Sequence, residues 1–169
     1  MTTSPPADIT PDAFCLQSSA FAPGGLIPAL HTADGLNLSP PLRWHGLPPL
    51  TRSLVLLLDD PDAPGGTWVH WLVFAIPASL QALPAGLARQ GSLPNGVRQG
   101  SCWGHDHFSR LGYQGPQPPP GPAHRYRFRL FALDRPLELP AGAPWPVVEH
   151  AMAGHVLAET RLIGLYATR

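Results

Sequence analysis

The chain has 169 residues and no lysine; all eleven of its basic residues are arginine. Aspartate and glutamate together also number 11, so the formal net charge is zero. Charged residues make up only 13% of the chain, against a usual share of roughly 25%. Charge this sparse and balanced supplies neither the basic field a nucleic-acid binder needs nor an acidic solvating tail, so nucleic acid is not expected as a partner. Cysteine is equally scarce. Cys15 and Cys102 are the only two, too few for a disulfide framework. Long apolar runs are missing as well: none approaches the roughly 20 residues a membrane-spanning helix requires. Met1 to Phe14 is polar and proline-bearing, without the basic flank and apolar core of a secretory signal. These absences lead to the expectation of a cytoplasmic protein with free thiols and no transmembrane segment.

What the chain has in quantity is proline, 23 residues, and glycine, 17, alongside 44% hydrophobic residues. That combination describes a packed core joined by elaborate, stiffened loops. The length suits one domain with a substantial core. Residues 1–13 are expected to form a loose N-terminal arm, with a single domain over 14–169.

The sequence is organised around Asp59-Asp60-Pro61-Asp62-Ala63-Pro64-Gly65-Gly66-Thr67-Trp68-Val69-His70-Trp71. It lies between two short apolar runs, Leu54 to Leu58 and Val69 to Ile76, which read as buried strands. The prolines fix φ and remove backbone donors, so the connection is stiff and outside the sheet. A rigid loop that sets carboxylates beside a histidine suits gripping a ligand. It equally suits a solvated turn in which the aspartates cap their own backbone.

Elsewhere, Phe14 to Ala22 alternates weakly as a first strand, and Leu42-Arg43-Trp44 is a second. Pro77 to Pro94 reads as a connector with a helical turn over Ser79 to Leu83. Gly91 to Gly121 lacks periodicity, and aperiodic segments of that length inside a compact domain are commonly functional or disordered. His124 to Asp134 is the clearest strand: His124, Tyr126, Phe128, Leu130 and Ala132 share one face by the period of two, and Arg125, Arg127 and Arg129 share the other. His124 and Tyr126 therefore stand at the loop end of an otherwise apolar face. Near the C-terminus, Val148, Met152 and Val156 fall four apart and Pro146 suits a first helical position, which predicts one amphipathic helix over Pro146 to Ala158. Leu162 to Tyr166 is a last strand. Short strands with glycine-proline turns and one terminal helix indicate a mainly β sandwich.

Asp60-Pro61-Asp62-Ala63-Pro64, His70 opening a strand, Gly115-Pro116, and Gly121-x-x-His124-Arg125-Tyr126 together resemble the phosphatidylethanolamine-binding protein family. Asn37-x-Ser39-Pro40-x-Leu42-x-Trp44 and Arg98-Gln99-Gly100 resemble its bacterial, Raf kinase inhibitor-like branch. The likeness runs from about Phe14 to Tyr166. It implies an antiparallel β-sandwich, a large sheet packed on a smaller one, with one C-terminal helix. It also implies a pocket for phosphate-like anions lined by Asp60, Trp68, His70, Gly115, Pro116, His124 and Tyr126, and relatives of the bacterial branch are commonly homodimers. The residue types suit that use. Imidazolium and tyrosine hydroxyl groups donate to oxyanions, glycine admits close backbone approach, and aspartate can orient a histidine and hold it protonated.

The chain departs from the family at Cys102-Trp103-Gly104, where an asparagine is usual in place of the cysteine, and in the extra His105-Asp106-His107-Phe108-Ser109-Arg110-Leu111 that follows. His105, His107, Asp106 and Cys102 are metal-ligand types. Two histidines two apart on a loop nevertheless fit a solvated loop or a subunit contact better, so neither a metal nor another cofactor is expected. Two function classes follow. The favoured one is a binding protein for a small anionic or phosphorylated ligand that modulates a kinase, protease or other protein partner. The alternative is an enzyme using Asp60, His70 and His124 for proton transfer, since no nucleophile elbow, phosphate loop or dinucleotide fingerprint is present.

Overall fold

Backbone pairing sorts residues 13–103 and 109–168, the residues this computed structural model describes, into two sheets. In chain order the strands are β1 (Cys15–Gln17), β2 (Leu42–His45), β3 (Ser53–Asp60), β4 (Trp68–Pro77), β5 (Ala82–Leu83), β6 (Arg98–Trp103), β7 (Ser109–Leu111), β8 (His124–Leu133), β9 (Gly142–Pro144) and β10 (Val156–Tyr166). One α-helix, α1 (Trp145–Met152), lies between β9 and β10, and short 3-10 turns occupy Ala29–His31 and Pro94–Gly96. The small sheet has the order β1-β2-β5. The large sheet runs β10-β8-β3-β4-β6-β7, antiparallel throughout, with β9 added in parallel to β6.

Strand β3 explains why the sequence carries an unbroken apolar run instead of an alternating one. It lies between β8 and β4, and every one of its residues is buried. Leu54, Leu56 and Leu58 face a core shared with Trp71, Val73, Phe128 and Leu130, closed by Leu16, Leu42, Trp44 and Leu83 of the small sheet. Val55 and Leu57 face the opposite core with Phe74, Phe131 and Leu133, closed by Val148 and Met152 of α1. The large sheet is thus covered on both faces at its centre, which forces apolar residues at consecutive positions. Strand β8 follows the expected alternation: Tyr126, Phe128, Leu130 and Ala132 enter the first core, while Phe131 and Leu133 enter the second. Fully burying a side chain such as Phe128 contributes about 1.5–3 kcal/mol each.

The arginine face of β8 is neutralised in place. Arg127 forms a two-point contact with Asp59 at 2.6 and 2.9 Å, and Arg129 bridges Asp59 at 3.5 Å and Glu159 at 2.8 Å. Arg161 shares Glu159 at 2.9 Å. Asp59 and Asp60, adjacent in sequence, therefore serve opposite faces of the sheet.

Three expectations are corrected. The terminal helix stops at Met152, and Val156 and Ala158 belong to β10. The four-residue spacing was helical only as far as Met152, because Gly154 turns the chain with φ +78°. Ser79 to Leu83 gives a turn leading into β5, not a helical one. The segment Gly91 to Gly121 contains two strands, β6 and β7, whose shortness and polar content hid their period. All but Ala13 of the expected N-terminal arm lies outside the described residues, as does the His105-Asp106-His107 tract. Among the described residues, no helix is long and apolar enough to cross a membrane.

Candidate functional site

Asp60 reaches its position by strand periodicity. It follows Leu54, Leu56 and Leu58 on one face of β3 and takes the last place, where the core gives way to a cavity of about 340 Å³. The chain then leaves the sheet through Pro61 to Thr67, with Gly65 and Gly66 at φ +83° and +123°, values that favour glycine. It returns as β4, which delivers Trp68 and His70 to the same cavity. His124 and Tyr126, at the start of β8, complete the polar group. The expected residues Asp60, Trp68, His70, His124 and Tyr126 thus converge on one space.

The contacts within it are specific. His124 Nδ1 lies 2.7 Å from Asp60 Oδ2, and the Asp62 backbone N–H donates to Asp60 Oδ1 at 2.8 Å. Asp60, only 3% exposed, receives a donor at each oxygen, the arrangement a carboxylate requires. His70 Nδ1 lies 2.6 Å from the Gln114 carbonyl oxygen. A carbonyl only accepts, so Nδ1 carries the proton and Nε2 is the nitrogen that changes from acceptor to donor when the ring charges. The Gln114 N–H returns a bond to the His70 carbonyl at 3.0 Å, fixing the strand and the loop together.

Tyr126 stands between the two histidines. Its ring meets His70 edge-on at 5.4 Å and stacks near His124 at 6.5 Å. The hydroxyl is buried and turned towards Asp60, although it makes no hydrogen bond of strict geometry to a described residue. Burial first, then the negative charge of Asp60 and a hydrogen bond with its carboxylate, push its ionisation well above the usual phenol range. The group remains an O–H donor at every relevant pH.

A second latch holds the rim. Asp62 accepts from the Arg125 backbone N–H at 2.9 Å and from its guanidinium at 3.0 and 2.8 Å. The hydrogen bonds from Arg125 hold the Asp62 carboxyl down at about 2. Trp68 is tied by its indole N–H to the Trp103 carbonyl at 3.1 Å.

Gly115 and Pro116 are not among the residues that line this cavity. Both are buried behind its wall. The Gly115 N–H donates to Asn37 Oδ1 at 2.8 Å, and the Pro116 carbonyl accepts from the Ala33 N–H at 2.9 Å. A Cβ on Gly115 would come within 2.5 Å of Asn37 Oδ1 and 2.8 Å of the His31 carbonyl, so glycine is needed there for packing. Gln117, Pro118 and Pro119, just downstream, form the wall instead, opposite Ala63 and Pro64. Sequence reasoning placed these prolines in the loop without assigning them to the site. Gln99 is also structural: it accepts from the Trp71 indole at 2.7 Å and donates to the Ala88 and Gln90 carbonyls. Cys102 is buried, its thiol directed at the His70 carbonyl at 3.4 Å.

Similarity to known proteins agrees with this architecture. The family model for phosphatidylethanolamine-binding protein matches residues 17–167. A UPF0098 protein of Methanothermobacter thermautotrophicus is 48% identical over 151 residues, covering 89% of this chain and 97% of that protein. A Mycobacterium tuberculosis relative bearing a lipoprotein name, LppC, is 37% identical over 155 residues, 89% of this chain and 71% of its own length. Among solved structures, a phosphatidylethanolamine-binding protein homologue of Chlamydia trachomatis, CT736, superposes with a TM-score of 0.82 at 32% identity, covering 94% of this chain and 99% of that one. YbcL of Escherichia coli, described as a member of the mammalian family, gives 0.82 at 31% identity, covering 92% and 99%. The chain belongs to the phosphatidylethanolamine-binding protein family.

Proposed function

We propose that the cavity binds a small oxyanion of the kind a phosphoryl headgroup presents. One observation carries this reading: a buried tyrosine hydroxyl, kept protonated, lies between two histidines, one of them braced by a buried carboxylate. Tyr126 supplies a permanent neutral donor. His70 and His124 supply donors that strengthen when protonated. The stiff walls at Pro64, Pro118 and Pro119 lower the ordering cost of binding. Occupancy would then serve a regulatory use, on a kinase, protease or other protein partner, by a cytoplasmic protein that pairs as a homodimer.

Native mass spectrometry of protein purified from its own host tests this directly. The expected result is a dimer mass with a small acidic ligand retained. Calorimetry with dimethyl phosphate is the second arm: wild type binds, and Tyr126→Phe and His124→Ala each bind at least about tenfold more weakly. Undiminished binding by both variants would refute the site.

The Asp60–His124 hydrogen bond also favours a second reading, in which the pair acts as acid and base on a small substrate. Turnover of phosphoesters and acyl esters tests it. Activity that survives His124→Ala would count against an enzyme built on this cavity.

A further inference from the structure

His70 meets Gln114 at two points, and both depend on how the Gln114 backbone is held. His70 Nδ1 donates to the Gln114 carbonyl at 2.6 Å, and the Gln114 N–H donates to the His70 carbonyl at 3.0 Å. In a trans peptide the C=O and N–H point in opposite directions. Each of the two peptide planes that flank Gln114 therefore presents a second group away from His70. In the first plane that group is the Tyr113 carbonyl, which accepts from Arg89 Nε at 3.0 Å. In the second it is the Gly115 N–H, which donates to Asn37 Oδ1 at 2.8 Å. Arg89 joins the two anchors, because its Nη2 also donates to the Asn37 carbonyl. One guanidinium thus steadies both planes that hold His70.

Arg89 is exposed, lies in the connector before β6, and is not among the residues that line the cavity. Its geometry suits the task, since several donors in one rigid plane can fix two carbonyls at once. The consequence is chemical. A carbonyl only accepts, so in the neutral ring the proton sits on Nδ1 and Nε2 is left as an acceptor. An oxyanion is also an acceptor, so the neutral ring offers it no donor and only the imidazolium donates from Nε2. With the Gln114 carbonyl out of place, a neutral ring can carry its proton on Nε2 instead and donate without charging. The ring shares the cavity with Asp60 of β3 and with His124 and Tyr126 of β8, and the thiol of Cys102 of β6 meets the His70 carbonyl at 3.4 Å. Those groups act on how readily the ring charges. The Gln114 carbonyl decides which nitrogen keeps the proton when it does not.

We propose that Arg89 is a positioning residue for His70: acting through Gln114, it fixes the Nδ1–H tautomer and so makes donation to a ligand conditional on protonation. The consequence for binding rests on the oxyanion reading above; the tautomer does not.

Nitrogen-15 NMR of the imidazole rings at about pH 8.5, where an ordinary histidine is neutral, tests the tautomer, because protonated and unprotonated ring nitrogens resonate far apart. The wild type is expected to show His70 as Nδ1–H. Arg89→Met keeps the aliphatic stem, removes every donor, and should give a mixture of tautomers. Arg89→Lys, whose single ammonium cannot span both carbonyls, should give a smaller shift in the same direction. His155, with Nδ1 2.9 Å from Asp134 Oδ1 at the far end of the sheet, should not change in either. Calorimetry with benzenesulfonate, whose charge is constant between about pH 5.5 and 8.5, tests the consequence. The ratio of its dissociation constants at the two limits should be smaller by about threefold or more in Arg89→Met than in the wild type. A merely structural loss would weaken binding equally at both limits, and an unchanged ratio would therefore overturn the gating role. An Nε2–H ring in the wild type, an unchanged Nδ1–H ring in both variants, or an equal change at His155 would overturn the positioning role itself. A wild type that binds no benzenesulfonate at either limit would overturn the oxyanion reading, and the tautomers alone would then decide the role of Arg89.

Discussion

His124 Nδ1 lies 2.7 Å from Asp60 Oδ2, and this bond joins the end of β3 to the start of β8 at the mouth of the cavity. Asp60 is 3% exposed, and its other oxygen holds the loop that follows it. Asp60→Ala should weaken dimethyl phosphate binding by about tenfold or more and lower stability by about 1–3 kcal/mol, the cost of a lost buried acceptor. Urea unfolding and calorimetry on the same preparation check both effects. A loss well above about 3 kcal/mol with unchanged affinity would make Asp60 a structural acceptor only.

On the opposite face, Arg127 and Asp59 form the buried member of the charge ladder, with Asp59 2% exposed. Arg127→Met should cost about 3 kcal/mol, because it strips a buried carboxylate of its two-point partner. Arg161→Met, at a half-exposed guanidinium, should cost less than about 1 kcal/mol. Equal effects in denaturant titrations would contradict this ranking.

Acid should release the Asp62–Arg125 latch within a narrow window. The folded carboxyl is depressed from its usual 3.8 to about 2. Its contribution is therefore fully present above the unfolded value and is lost as pH falls through the folded one. The stability difference between wild type and Arg125→Ala should be constant above about pH 5 and shrink towards zero between about pH 4 and 2. A difference that persists at the lower limit would mean that Arg125 acts through packing.

Cys102 should be inert in the folded protein, since burial pushes its thiol up to about 12. Iodoacetamide at about pH 8 is expected to leave it unmodified until urea opens the core. Peptide mapping that finds it alkylated as fast as a small-molecule thiol would contradict its placement.

Gly115→Ala separates a packing role from a binding role. The new methyl would press on Asn37 and the His31 carbonyl, so a stability loss of about 1–3 kcal/mol is expected. Dimethyl phosphate affinity, measured well below the melting temperature, should be retained. Lost affinity in a folded variant would return the Gly115 backbone to the site.

How much of this was legible in the sequence varies with the range of the forces involved. Strand β8 could be read because ten consecutive residues keep one period, a signal carried entirely within the strand. Asp60, His70, His124 and Tyr126 could be read because each falls at a strand end, where a period fixes its face. The role of Gly115 could not, because it is set by Asn37, 78 positions away in the chain. The end of α1 was missed because Val156 continues the helical spacing, while the turn at Ala153 and Gly154 and the ladder with β8 decide the backbone. Pro118 and Pro119 read as loop residues, and only the folded chain turns them towards Trp68 and Pro64.

The central claim is that His70 and His124 hold an oxyanion through their charged forms. An anion stabilises imidazolium, so binding takes up protons, and affinity for a ligand of constant charge must fall as the histidines lose theirs. Calorimetry with benzenesulfonate from about pH 5.5 to 8.5 measures this, since its charge does not change while an ordinary histidine titrates near about 6.5. The account predicts a dissociation constant that rises by about tenfold or more across that range, with proton uptake evident in buffers of different ionisation enthalpy. One flat dissociation constant, with no proton uptake, would contradict it.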